Sequence, residues 1–161
     1  MRLALKTPLP EGFRPGMGLK GDFRDLTEER VGLFDAIITS PPFYAMRFDR
    51  PNWLRMWFCG WEEEDFHQQS LGFVERQQTR TLDCYKDLFQ VCSRLLKEDG
   101  LLILHVGSGG KRNMAVDLSI VASDSFSLVA NVVEDVRDVE QHGIRDKGVT
   151  TTHHFLFMRP R

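Results

Sequence analysis

The sequence predicts an α/β domain whose sheet ends in a C-terminal hairpin. Three observations carry that expectation: a short apolar run stopped by two prolines, one long amphipathic stretch, and an alternation of strand, helix, strand and strand after it. The chain has 161 residues, 42% hydrophobic and 27% charged, which suits one compact domain over residues 1–161 rather than a tail or fibre. A chain of this size buries roughly 70% of the surface its unfolded form exposes, so it needs no disulfide or metal to hold it.

Pro8, Pro10, Pro15, Gly12, Gly16 and Gly18 punctuate the beginning too densely for a helix or central strand, so an irregular arm is expected over 1–18. A short helix follows near Thr27–Val31. Leu33–Thr39 is branched, apolar and cut off by Ser40-Pro41-Pro42, the pattern of a buried parallel strand. Phe43 to Phe66 holds eight aromatic side chains, among them Trp53, Trp57 and Trp61 at i, i+4 and i+8. That spacing predicts a helix with the three indoles on one core-facing side. From Glu75 to Lys97 the apolar residues Leu82, Tyr85, Leu88, Phe89, Cys92, Leu95 and Leu96 recur every three or four positions, predicting one helix. Gly100 is placed to end it in the left-handed conformation. Leu101–Val106, a helix around Asn113–Ala122, a strand from Ser127 to Val133 or Val136, and a last strand Thr150–Met158 complete the order. The polar stretch Arg137–Gly148 reads as a surface connection.

Three cysteines, Cys59, Cys84 and Cys92, form no C-x-x-C pair, so neither a disulfide framework nor a cysteine zinc site is expected, and a reducing cytoplasmic setting is. No apolar run approaches the ~20 residues that cross a bilayer, and residues 1–20 lack a signal-peptide core, so no membrane partner is expected. His142, His153 and His154 have no spaced acidic or cysteine partners, and no metal is expected. His153 and His154 should face opposite sides of their strand. A net charge of −2 gives no general basic field. Contact with nucleic acid would need a local patch, for which Arg47, Arg50, Arg55, Lys111, Arg112, Arg145 and Lys147 are the candidates.

The string Phe34-Asp35-Ala36-Ile37-Ile38-Thr39-Ser40-Pro41-Pro42-Phe43 carries the chemistry. It resembles the strand-four motif of S-adenosylmethionine-dependent amino-methyltransferases, and its Thr-Ser-Pro-Pro form looks most like the DNA N4-cytosine enzymes, with N6-adenine enzymes next. Gly21-Asp22 resembles the Gly-Asp that this family sets beside the cofactor adenine. Leu95-Leu96-Lys97-Glu98-Asp99-Gly100 resembles the turn into strand five, with Glu98-Asp99 in place of the usual Pro-Gly. The resemblance spans residues 19–158. It implies part of a Rossmann-like methyltransferase sheet, with strands equivalent to four, five, six and seven and strand three as a further candidate.

The implied activity is methyl transfer from S-adenosylmethionine to an exocyclic amine of a nucleobase, cytosine N4 in DNA first, with adenine N6 or RNA guanine N2 as alternatives. Ser40, Pro41, Pro42 and Phe43 are the implied catalytic residues; Asp22, Thr39 and Ser40 the cofactor residues; Phe43, Tyr44 and Arg47 the substrate residues. Two prolines lock φ and remove two donors at the carboxyl end of a strand, where open α/β sheets bind ligands. Ser40 and the Pro41 carbonyl are then acceptors for the amine, and Phe43 a ring on which an extruded base stacks. Gly107-Ser108-Gly109-Gly110 suits a phosphate less well, because it follows the strand-five turn. The family's glycine loop after strand one and acid after strand two are not found upstream of Asp22. The strand Leu33–Thr39 is therefore expected to have an open edge, filled by a separate chain, a second copy or the N-terminal arm. A non-catalytic remnant or partner subunit is the reading from a different functional class.

Overall fold

The protein is described by a computed structural model that defines residues 11–19, 21–44, 49–58, 60–109, 112–136 and 150–161. The elements run as a 3-10 turn Phe23–Asp25, helix α1 Glu28–Val31, strand β1 Phe34–Thr39, helices α2 Asp49–Phe58 and α3 Glu63–Gln68, and a 3-10 turn Gln69–Gly72. Helix α4 Val74–Gln77, helix α5 Cys84–Leu95, strands β2 Leu96–Gly109 and β3 Arg112–Asn113, helix α6 Met114–Ala122, and strands β4 Phe126–Asp135 and β5 Thr152–Pro160 follow. The fold is mixed α/β: an open, mostly antiparallel five-stranded sheet in the order β1-β2-β5-β4, with β3 beside β2 and helices flanking it.

β1 and β2 are parallel, and α5 lies in the crossover between them. β4 and β5 form the antiparallel C-terminal hairpin, with β5 inserted between β2 and β4. Period-two alternation divides the sheet. Leu102, Leu104 and Val106 of β2 and Leu156 and Met158 of β5 are buried against Tyr85, Phe89 and Cys92 of α5 and Met114 and Leu118 of α6. On the other face Ile103, His105, Phe155 and Phe157 are half-buried. The start of α6 is fixed by Asn113, whose Oδ1 accepts from the backbone N–H groups of Ala115 and Val116 and from the Ser108 hydroxyl.

Four expectations are corrected. β1 is parallel but not buried: Ile38 is 74% exposed, and β2 is the only neighbour of β1 among the described strands. The helix expected over Glu75–Lys97 is two helices, α4 and α5, parted by Gln78–Asp83. There the Thr81 hydroxyl accepts from the Asp83 N–H, a local bond that competes with helix continuation. Gly100 is not a left-handed cap. The helix stops at Leu95 and passes straight into β2, while Lys97–Gly100 loops out of register between the pairs Phe34–Leu96 and Ala36–Leu101. Glycine is needed for another reason, since a Cβ at position 100 would sit 2.9 Å from the Lys97 carbonyl oxygen. The three tryptophans do not share a core-facing helix side. Trp53 and Trp57 on α2 are 58% and 54% exposed, and Trp61 lies beyond the helix end, packed on Phe66 and Phe73.

Candidate functional site

The loop Ser40–Phe43 leaves β1 at the carboxyl end of the parallel pair, and the residues around it come from five other places in the chain. Pro41 is buried, Pro42 and Phe43 half-buried, and Ser40 exposed. The two prolines offer no N–H, so the loop is held through its carbonyls. The hydroxyl of Tyr85, a fully buried residue of α5, lies 2.9 Å from the Pro42 carbonyl oxygen and 2.8 Å from Gln78 Oε1, and its single proton is shared between these acceptors. Gln78 is itself 4% exposed, and its Nε2 donates to the Phe43 carbonyl at 3.1 Å. The reverse amide orientation would set two oxygens against each other. Burial pushes the Tyr85 hydroxyl well above its ordinary pKa, so it stays a donor. Among the described residues no hydrogen bond reaches the Pro41 carbonyl.

A ring cluster sits beside the loop. Ser40 Oγ is 3.2 Å from His105 Nδ1 on β2. The His105 ring stacks on Phe155 at 4.7 Å and meets His153 edge-on at 4.7 Å, while Phe43 packs edge-on to both histidines at 5.5 and 5.8 Å. Gly107 makes room for this: a Cβ there would lie 2.5 Å from one carbon of the Phe43 ring. His153 and His154 do face opposite sides of β5. His154 is buried between Asn131 and Thr152, at 3.2 Å from each.

Asp22 reaches the same region by a different route. Its carboxylate caps the first 3-10 turn, accepting from the Arg24 backbone N–H and, through both oxygens, from the Arg24 guanidinium, which holds its carboxyl below the usual range. Arg24 also donates to the Gly72 carbonyl at 3.3 Å, and Arg94 of α5 donates to the Leu26 carbonyl at 2.7 Å, tying this turn to its surroundings. A cavity of about 360 Å³ results, in which Asp22, Phe23, Pro42, Phe73, Val74 and Glu75 are among the walls. The carboxylate that the sequence pairs with a cofactor and one proline of the Pro-Pro loop thus face one space.

Other predicted residues are placed less simply. Thr39 ends β1 and lines an apolar cavity on the α5 side. Tyr44 donates to Asp117 of α6 at 2.8 Å, and the Arg112 guanidinium lies 4.9 Å from its ring centre, so its hydroxyl is committed within the fold. Burial and that carboxylate push its pKa upward. Arg55 is exposed on α2. Arg47, Lys111, Arg145, Lys147, Cys59 and His142 lie outside the described residues, as does the Arg50 side chain. Gly107–Gly109 belongs to β2, and Gly110 lies outside the described residues. Gln78, Tyr85, His105 and His153 are the site residues that the sequence did not reveal. The signals the sequence held were the Tyr85 hydroxyl within an apolar helix pattern and His105 within the apolar run Leu101–Val106.

A scan against protein-family profiles finds no match, and no curated protein matches the sequence. No described helix is long and apolar enough to cross a membrane.

The histidines predict a pH response. Burial, then the neighbouring His153, lowers the pKa of His105 against a smaller opposing pull from Glu134; burial and His153 also lower that of His154. The fold therefore favours the neutral rings, whereas the unfolded chain takes up protons near the ordinary value of 6.5. Stability should fall as the pH drops through that value and level off below the folded pKa values. Thermal melts between about pH 7.5 and 5.5 check this, and His154→Gln should flatten the fall.

Proposed function

We propose that the chain is the catalytic half of an S-adenosylmethionine-dependent amino-methyltransferase, acting on an exocyclic amine of a nucleobase and foremost on cytosine N4 in DNA. Adenine N6 and RNA guanine N2 are the alternatives within that reading. One observation carries it: the Thr-Ser-Pro-Pro-Phe loop stands at the carboxyl end of a parallel strand, with its Pro42 and Phe43 carbonyls anchored and with Pro42 and Asp22 lining the same cavity. The parallel β1–β2 pair and the C-terminal hairpin laid beside β2 also agree with strands four to seven of a Rossmann-like methyltransferase sheet.

The cavity fits the cofactor in kind. Its volume lies within the few hundred Å³ typical of small-molecule sites, its walls mix aromatic and apolar surface with the acidic residues Asp22 and Glu75 and with Arg24, and it opens beside the loop. Bound there, S-adenosylmethionine supplies an electrophilic methyl group on a sulfonium. Each carboxylate oxygen accepts more than one hydrogen bond, so Asp22 can receive an adenine amino group while keeping Arg24. Thr39 lines the separate apolar cavity on the α5 side, and Ser40 belongs to the loop beside the site rather than to its walls.

The chain's own task is to aim the amine. An amine attacking a methyl carbon must point its lone pair along the line of displacement, which it does when its N–H bonds are taken by fixed oxygens. Ser40 Oγ and the Pro41 carbonyl offer those oxygens, on a loop that two prolines and the Tyr85 and Gln78 contacts keep from rotating. In the displacement the nitrogen lone pair would form the new N–C bond and the C–S pair would go to the cofactor sulfur. The cationic nitrogen would then lose one N–H proton to water, so no strong base is needed before the step that positioning and a preorganised polar setting carry. Phe43 supplies a ring for the extruded base, and Arg55 and Arg112 the described cations for the phosphates.

In a methyl-transfer assay with labelled cofactor and DNA, Ser40→Ala and Pro41→Ala should each lower the rate by about 100-fold or more, the scale of losing one preorganised polar contact, with folding unchanged. Wild-type rates in either variant overturn the assignment.

Among the described residues no strand pairs with the outer side of β1, which favours an added strand. Leu33, Phe34 and Ile38 are exposed along it, and an apolar cavity of about 330 Å³ opens beside it. We propose that a second copy or a separate chain pairs there, whether to complete a working enzyme or in a subunit that binds without turnover. Light scattering on the purified chain should give a mass above the monomer, reduced to the monomer by Ile38→Lys. A monomeric wild type excludes the second copy, and an unchanged dimer in Ile38→Lys places its interface elsewhere.

A further inference from the structure

His105 was not among the residues that the motif singles out, yet it is the side chain that contacts the Ser40 hydroxyl, with Nδ1 3.2 Å from Oγ. That distance leaves two arrangements: Ser40 donates to Nδ1, or Nδ1–H donates to Ser40. The other ring nitrogen decides between them. Nε2 is buried and has no hydrogen-bond partner, in a ring bounded by Phe155, Phe43 and His153. A proton on Nε2 would be a buried N–H with no acceptor, which folded proteins avoid more strictly than an unfilled acceptor lone pair. Burial and the adjacent His153 also disfavour the doubly protonated ring, and Glu134 opposes them only weakly. The ring is therefore neutral and carries its proton on Nδ1.

The consequence falls on Ser40. With one lone pair of Oγ occupied by Nδ1–H, the hydroxyl proton has no use toward β2 and turns to the exposed side of the loop, where a base would arrive. We propose that His105 is a positioning residue: its Nδ1–H donates to Ser40 Oγ and turns the Ser40 hydroxyl outward as a donor that reads a ring-nitrogen acceptor beside the reacting amine. This rests on the methyl-transfer reading above and narrows it. Cytosine and adenine carry an acceptor nitrogen next to the amine, whereas guanine carries an N–H on one side of its amine and an acceptor nitrogen on the other, so one of its two orientations would meet the hydroxyl donor to donor. The Pro41 carbonyl is then the principal acceptor for the amine proton.

Two measurements on the full chain test this. In nitrogen NMR of histidine-labelled protein near pH 7.5, with the His105 signals assigned by their loss in His105→Asn, the ring should show a protonated Nδ1 and an unprotonated Nε2. In methyl-transfer assays, oligonucleotides carrying cytosine are compared with 3-deazacytosine, and adenine with 1-deazaadenine, each analogue replacing the ring acceptor by C–H. Wild type should discriminate against the analogue of its target base by about tenfold, the worth of one hydrogen bond. His105→Ala should reduce that discrimination below about threefold, and His105→Asn, which keeps a donor near Nδ1, should restore it. A proton on Nε2, a doubly protonated ring, or equal discrimination in wild type and His105→Ala overturns the proposal. If no nucleobase accepts a methyl group, the methyl-transfer reading fails and the ring's tautomer alone decides whether His105 orients Ser40.

Discussion

The site depends on one buried contact, in which Tyr85 and Gln78 hold the carbonyls of Pro42 and Phe43 from below. A Pro-Pro segment is stiff about φ but has no donors, so it cannot lock itself into a sheet or helix, and its orientation must come from what binds its oxygens. Both anchoring side chains are almost wholly removed from water, where an unpaired polar group would cost about 1–3 kcal/mol. The Tyr85 hydroxyl and the Gln78 amide satisfy each other and the loop together. Loosening any member exposes the rest to that cost, so loop geometry and core stability are coupled.

That contact is available because of how the sheet is covered. Helices α5 and α6 occupy one face, and α5 places Tyr85 near its first turn, under the point where β1 ends. The other face brings His105 and His153 up beside the loop, and Gly107 lets the Phe43 ring lie against β2. The carboxyl end of β1 is thus flanked by a polar anchor on one side and a cluster of rings on the other. The turn holding Asp22 is pinned nearby by Arg24 and Arg94.

Much of this was legible in the sequence, and the failures have physical causes. The proline stop after Thr39 located β1 and its loop, and short apolar runs located β2, β4 and β5, although β4 is exposed along all but its first residue. The missing strand one pointed to an edge position for β1, but its apolar content read as burial, since a strand awaiting a neighbour reads like one that has it. The tryptophan spacing had the period of a helix but said nothing of which side the helix offers to the core. The break at Gln78–Asp83 was hidden because apolar periodicity tolerates a turn of suitable length. Within the site, Asp22 and the Pro-Pro loop were visible as motif residues. Tyr85, His105 and His153 were not, because each sits in an element whose pattern already accounted for it, and Gln78 lies in the break between α4 and α5 that the pattern hid.

The central claim is that the anchored loop and the Asp22 cavity form one site for S-adenosylmethionine. Calorimetric titration of the full chain with the cofactor tests it most directly. The account predicts saturable binding that Asp22→Asn and Tyr85→Phe each weaken by about tenfold or more, the first by losing a charge-assisted hydrogen bond and the second by releasing the loop. An absence of saturable heat, or binding that neither substitution alters, would contradict it.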